Sequence, residues 1–167
     1  MKKTLIIICM CFIGIVAKAQ IPQPDPDTTA KHFLIVASIG NLQEVSAGGL
    51  AVQKSKLPDV KSFGQMMVKD HGMAEQELLA LAKRKKIELP AAATGGIQPD
   101  PMLKNAAINF DNLYVHAMVA GHNNTVQTFQ NYATTGKDPD VKAFAQKMLP
   151  SLKMHLEEIK VIEKKLK

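Results

Sequence analysis

The sequence predicts an all-α fold: a bundle of four long helices arranged as two helical hairpins. Three observations carry this. Apolar residues recur at three- and four-residue spacing through four long stretches, which is the period of a helix face. Prolines and glycines gather mostly in the breaks between those stretches. A hexapeptide also recurs: Pro58-Asp59-Val60-Lys61-Ser62-Phe63 returns in the second half of the chain as Pro139-Asp140-Val141-Lys142-Ala143-Phe144, with Gln65 and Met67 returning as Gln146 and Met148.

The chain opens on a charged start, Met1-Lys2-Lys3, and an apolar run from Leu5 to Val16. That run is too short to span a bilayer. Ala17-Lys18-Ala19 before Gln20 is a small-x-small cleavage site. Residues 1–19 therefore read as a signal peptide, and the product is expected in the periplasm or outside the cell. Cys9 and Cys11 lie inside the apolar run, and neither follows a small residue as a lipid-modified cysteine does. The mature chain then has no cysteine, which excludes disulfides, thiolate metal sites, iron–sulfur clusters, cysteine nucleophiles and covalent c-type haem. Residues 20–27 (QIPQPDPD) form a proline-rich spacer, and residues 28–167 are expected to form the bundle domain.

The first helix is expected from about Thr28 to Lys54, with Asp27 or Thr28 as its cap. Its face reads Leu34, Ala37, Asn41, Glu44, Gly48, Ala51. Gly48-Gly49 costs about 1 kcal/mol of helix propensity per glycine and invites a close neighbour. The second helix, Pro58 to about Lys86, carries Val60, Phe63, Met67, His71, Ala74, Leu78 and Leu81 on one face. The basic cluster Lys83-Arg84-Lys85-Lys86 falls at its C-terminus, where cations complement the helix dipole. The third helix opens at Asp100-Pro101, a cap followed by proline at the first helical position. It is expected to run to about Gly136, with Val115, Met118, His122, Val126 and Phe129 inward. The fourth opens the same way at Asp138-Pro139 and runs almost to Lys167. Its stripe is Val141, Phe144, Met148, Leu152, His155, Ile159, Ile162, Leu166, and Pro150 inside it is expected to kink it.

Between the second and third helices lies a Pro/Gly-rich connector, Ile87–Asp100. A short connection gives an up-down-up-down bundle. An extended one spans up to roughly 45–50 Å, the length of a helix of roughly 28 residues, and allows a long crossover as in ferritin-like bundles.

Each stripe is interrupted by a residue able to bind a proton or a metal: Glu44, His71, His122 and His155. Glu44 lies almost as far before Pro58 as His71 lies after it, and His122 and His155 stand in the same relation to Pro139. Within each hairpin the two therefore share a height, roughly 20 Å from the turn in the first and roughly 25 Å in the second. With a crossover all four share one layer near mid-bundle. A buried carboxylate costs several kcal/mol if unpaired, so Glu44 is expected to face an imidazolium or a cation. Three imidazoles and a carboxylate suit one divalent transition metal ion, Zn, Cu or Fe, with Glu75 and Glu158 as outer acceptors for imidazole N–H groups. Such binding is expected to weaken as the histidines protonate near pH ~6.5. Asp70 and Glu157 are expected to face solvent, His32 and His116 to lie on the surface, and Tyr114 and the methionines to pack in the core.

Other chemistry is missing from the sequence. The three leader lysines account for half of the formal charge of +6, leaving 18 basic against 15 acidic residues. With two tyrosines and no tryptophan, this gives no nucleic-acid surface. There is no nucleophile elbow, phosphate loop, dinucleotide fingerprint or zincin motif, and no segment after the leader reads as a membrane span. Three readings follow: a metal-binding bundle serving metal handling or envelope stress protection, a metal-free structural or protein-interaction module, and a non-covalent haem or small-molecule binder.

The chain resembles the exported bacterial family catalogued as domain of unknown function 4142, grouped with ferritin-like bundles. The resemblance rests on Phe33-Leu34 with Glu44, on Val60-Lys61-x-Phe63 leading to Met67-Val68-x-Asp70-His71, on Phe110-Asp111-x-x-Tyr114 with His122, and on Leu149-Pro150-x-Leu152-x-x-His155-Leu156. It implies a four-helix fold and an envelope location. Some members carry an outer-membrane-protein label. Ferritin-like di-iron sites use a Glu on two helices and Glu-x-x-His on the other two. Here the third helix offers His122, and the second and fourth read His-x-x-x-Glu and His-x-x-Glu, which points away from a di-iron oxidase and toward one histidine-rich site.

Overall fold

A computed structural model describes residues 30–90 and 97–166. The expected signal peptide, the spacer and the cap of the first helix lie outside the described residues, as do residues 91–96 of the connector and Lys167. Among the described residues the elements are α1 (Ala30–Lys54), α2 (Pro58–Lys85), α3 (Pro101–Asn105), α4 (Phe110–Thr135) and α5 (Pro139–Lys165). Four long helices make an all-α bundle, and α3 adds a short turn.

The helix ends follow from local chemistry. Pro58, Pro101 and Pro139 occupy first turns, where the missing N–H has no intrahelical partner to lose. The Asp138 carboxylate accepts from Asp140 N and Val141 N at the start of α5, and Asp100 accepts from Met102 N at the start of α3. α2 ends on Lys86 in the left-handed region, φ 54°, and the N–H of Ile87 reaches back to the Ala82 carbonyl. The basic cluster does sit in this last turn, and its Lys85 also pairs with Asp138 and Asp140.

One expectation about continuity needs correction. The third helix is not continuous from Asp100: it breaks at residues 106–109, where Ala106 is extended. The asparagines flanking the break, Asn105 and Asn109, favour caps and turns over helix interiors. Leu103, buried, pins the short α3, and Lys54 Nζ donates to the Leu103 and Lys104 carbonyls at its C-terminal end. Pro150 stands at an exposed position inside α5, and the helix runs through it.

Neighbouring helices are antiparallel. Lys85 at the end of α2 pairs with residues at the start of α5, and Lys165 at the end of α5 pairs with Asp59 at the start of α2. Phe33 at the start of α1 stacks on Tyr132 near the end of α4, ring centroids 4.2 Å apart. α2 therefore ends at one end of the bundle, and α4 begins at the other, beside the end of α1. The connection is a long crossover, the connectivity of ferritin-like bundles.

Two apolar clusters fill the interior. One holds Phe33, Leu34, Leu78, Phe129, Tyr132 and Phe144. The other holds Val60, Phe63, Met67, Tyr114, Ile159 and Ile162. The repeated hexapeptide supplies equivalent core residues to each, Val60 and Phe63 against Val141 and Phe144. Within the first hairpin the backbones nearly touch. A Cβ on Gly48 would stand 2.6 Å from the Gly64 carbonyl oxygen, whereas one on Gly49 would meet nothing within 4 Å. The close approach therefore belongs to Gly48 and Gly64.

α1 is long and apolar enough, by length and composition, to cross a membrane, with a mean hydropathy of 1.2 in its most apolar window. This differs from the expectation of no such segment after the leader. Its Phe33, Leu34, Ala37 and Ala51 are buried against the other helices, and Ser38, Asn41 and Glu44 are buried with them. A core helix of a bundle passes the same test.

Candidate metal centre

Between the two apolar clusters lies a layer of buried polar side chains: Ser38, Asn41 and Glu44 from α1, His71 and Glu75 from α2, His122 from α4 and His155 from α5. The crossover topology makes this one layer, because it sets the two hairpin turns at opposite ends. His71, His122 and His155 are 3%, 1% and 1% exposed. Their ring centroids form a nearly equilateral triangle, 5.4 Å from His71 to His155 and 5.6 Å along each of the other two sides. One ring nitrogen from each lies within 4.8 Å of the others.

Each ring is turned by an acceptor. His71 Nδ1 faces Asn41 Oδ1 at 3.0 Å, His122 Nδ1 faces the Met118 carbonyl at 3.0 Å, and His155 Nε2 faces Asp70 Oδ2 at 3.0 Å. These oxygens only accept, so in a neutral ring the faced nitrogen carries the proton and the other presents a lone pair. Those other nitrogens, His71 Nε2, His122 Nε2 and His155 Nδ1, are buried without a hydrogen-bond partner. A buried polar atom left unsatisfied costs about 1–3 kcal/mol. Three in one layer form a donor set that fits a metal ion, with each imidazole oriented from behind as metal-binding histidines are.

Burial keeps His71 and His122 neutral. It lowers the His71 pKa to about 3, helped by the neighbouring His122 and His155. It lowers His122 to about 4, against the hydrogen bond to the Met118 carbonyl. These two rings are therefore ready to ligate at a lower pH than an ordinary histidine allows. Burial also pushes the Glu44 carboxyl up to about 8. Glu44 Oε1 stands 3.5 Å from His122 Nδ1, and Oε2 has no partner. With the ring neutral and the carboxyl protonated, this is no ion pair; the expected imidazolium partner is replaced by a proton.

The structure sorts the residues singled out from the sequence. It brings His71, His122 and His155 together. It puts Glu44 in the layer but beside Nδ1 of His122, away from that ring's unpartnered Nε2 and outside the three-histidine group. Glu75 is buried but touches no imidazole: its Oε1 accepts from Ser38 Oγ at 2.5 Å and its Oε2 from Asn41 Nδ2 at 3.1 Å. Glu158 is exposed, and the Nε2 of His155 faces Asp70 on α2 and Ser151 on its own helix instead. Asp70, expected in solvent, is the acceptor instead, and Ser151 Oγ lies 3.3 Å from the same nitrogen. Asn41 and Asp70 are the residues sequence reasoning missed. A polar Asn on an otherwise apolar stripe was the available signal for the first. Glu157 and His32 are exposed as expected, and His116, also exposed, pairs with Glu163.

Two hollows reach histidines of the layer. A cleft of about 310 Å³ between α1 and α4 is lined by Gly40, Asn41, Glu44, His71, Gly121 and Thr125. A smaller one of about 30 Å³, water-sized, lies between α2 and α5 beside Asp70, His71, Ser151 and His155.

Fold and site together define a crossover four-helix bundle with a buried histidine layer at mid-height. The chain belongs to the family described as "Domain of unknown function (DUF4142)", which matches residues 16–162. Among solved structures it is similar to CopM in the Cu(II)-bound form, with 17% identity, a TM-score of 0.69, and coverage of 83% of this chain and 97% of that one. CopM in the Cu(I)-bound form gives 18% identity, a TM-score of 0.69 and the same coverage, 83% and 97%. A conserved hypothetical protein, rv2844, from Mycobacterium tuberculosis gives 12% identity, a TM-score of 0.63, and coverage of 82% and 92%. At these identities the likeness is one of fold. No curated protein matches the chain.

Proposed function

We propose that this chain is an exported copper-handling protein that holds one copper ion on His71, His122 and His155. The observation that carries this reading is the set of three buried, partnerless imidazole nitrogens in one layer. Imidazole suits copper, zinc and iron alike. The choice of copper draws on the similar bundle CopM, which is described in Cu(II)-, Cu(I)- and Ag-bound forms. The leader sequence supports export. The residues divide the work simply. His71, His122 and His155 supply lone pairs, while Asn41, the Met118 carbonyl and Asp70 hold the rings in register. The Asp70 carboxylate offsets positive charge brought into the layer, and the two apolar clusters exclude water from above and below. Sequestering copper in this way protects an envelope from the free ion.

The test is elemental analysis of tag-free protein purified from its native compartment, followed by calorimetric titration with Cu, Zn and Fe. One equivalent of copper, lost in His71→Ala and His155→Ala, is expected. If no metal binds, or the variants bind as the wild type does, the layer is a structural element of a metal-free module.

A further inference from the structure

We propose that Glu75 controls the metal affinity of the histidine layer from a distance, by fixing the orientation of the Asn41 amide and through it the tautomer of His71. The affinity part of this rests on the copper reading above; the tautomer part does not.

The three histidines are not held in the same way. His122 is turned by a backbone carbonyl, which cannot exchange a donor for an acceptor. His155 is turned by Asp70, whose carboxylate oxygens both accept. His71 is turned by the Asn41 side chain, whose two ends have nearly the same shape and opposite hydrogen-bonding character. If the amide turns over, its NH2 faces His71 Nδ1, that nitrogen must accept, and the proton moves to Nε2. The ring then has no lone pair to offer the layer.

What decides the amide's orientation is its other neighbour. Glu75 Oε2 lies 3.1 Å from Asn41 Nδ2, and Glu75 Oε1 accepts from Ser38 Oγ at 2.5 Å. Burial raises the Glu75 pKa, and the hydrogen bonds from Ser38 and Asn41 oppose that rise by favouring the carboxylate; as a carboxylate it only accepts, which commits the NH2 end of Asn41 to Glu75 and the oxygen end to His71. Turning the amide over would set Oδ1 against the carboxylate as well as moving the His71 proton. Ser38, Asn41 and Glu75 are all buried. Glu75 is thus a positioning residue acting through Asn41.

The experiment reads the His71 tautomer directly in metal-free, 15N-labelled protein by long-range proton–nitrogen correlation, and copper(I) affinity separately by competition titration. Wild type should show a single Nδ1–H tautomer at His71. Glu75→Gln, whose amide can set either its oxygen or its NH2 against Asn41, should give a tautomer population between those of wild type and Glu75→Leu. Glu75→Leu should give a mixture or the Nε2–H form and lose copper affinity by about 10- to 100-fold, the usual scale for outer partners of metal-bound histidines. Asn41→Leu, which removes the acceptor itself, should do the same and decides the matter if Glu75→Leu fails to fold. The proposal is overturned if His71 stays wholly Nδ1–H in the Leu variants. If wild type binds no copper while the tautomer shifts as described, the relay stands and the copper reading falls.

Discussion

Replacing Glu44 by glutamine changes a proton site and almost no volume, and the structure sets the size of the effect. In the fold the carboxyl is pushed from 4.5 up to about 8 by burial. A group with a raised carboxyl pKa contributes stability that is fully present below the unfolded value and is lost as pH rises toward the folded one. At pH ~7.5 the unfolded chain has released this proton and the folded chain still holds it. The gap of about three pH units, at about 1.4 kcal/mol per unit, amounts to about 4 kcal/mol. Glutamine has no proton to release, so the metal-free Glu44→Gln protein should gain up to about 4 kcal/mol over wild type between pH ~4 and pH ~7.5. Comparing the two pH values cancels the cost of burying the amide. At about 2–4 °C per kcal/mol this is a relative shift in melting temperature of roughly 10 °C, readable by circular dichroism on chelator-treated protein. A difference between variant and wild type that stays the same at both pH values would refute the reasoning, and so would one that shrinks as pH rises.

Other parts of the structure give three more expectations. His71 and His122 have lowered pKa values, about 3 and about 4, so their neutral forms stabilise the fold fully above the ordinary histidine value and that contribution is lost as pH falls toward the folded values. Copper should accordingly remain bound at pH ~5.5 and dissociate only nearer pH ~4, by calorimetry across that range; release centred near pH ~6.5 would show ordinary, accessible histidines. Gly48→Ala should cost about 1–3 kcal/mol in denaturant unfolding, because the new methyl would overlap the Gly64 carbonyl. Gly49→Ala, where the space is open, should be neutral or gain up to about 1 kcal/mol, and equal effects at the two positions would contradict the packing described. Intact-mass measurement on protein from the bacterial envelope or medium should give a chain beginning at Gln20; a retained leader would count against export.

The helices were legible because their signals are local. The Asp-Pro starts, the helical period and the repeat around Phe63 and Phe144 do not depend on what packs against them. Counting from each turn also placed His71, His122 and His155 at compatible heights. The crossover was not decided by sequence, since a connector as long as Ile87–Asp100 is compatible with both topologies; the Lys54 contacts to α3 and the Lys85 pairs with α5 decide it. The partners of the rings were illegible for a related reason. Helical spacing nominates Glu158 for His155 and Glu75 for His71, but the rings point across to other helices. The acceptors therefore come from α2 for His155 and from α1 for His71. Glu44 shows the same limit in another form: its height was readable, and the side of His122 that it faces was not. Its protonation follows from desolvation in a layer bounded by apolar clusters, which a linear stripe does not reveal.

The most direct test is X-ray absorption at the copper edge on tag-free protein loaded with one equivalent of copper(I). The account predicts imidazole nitrogen scatterers at about 2 Å, the usual metal–imidazole distance, three in wild type and fewer in His71→Ala. A first shell dominated by sulfur or oxygen, or a spectrum unchanged by His71→Ala, would contradict it.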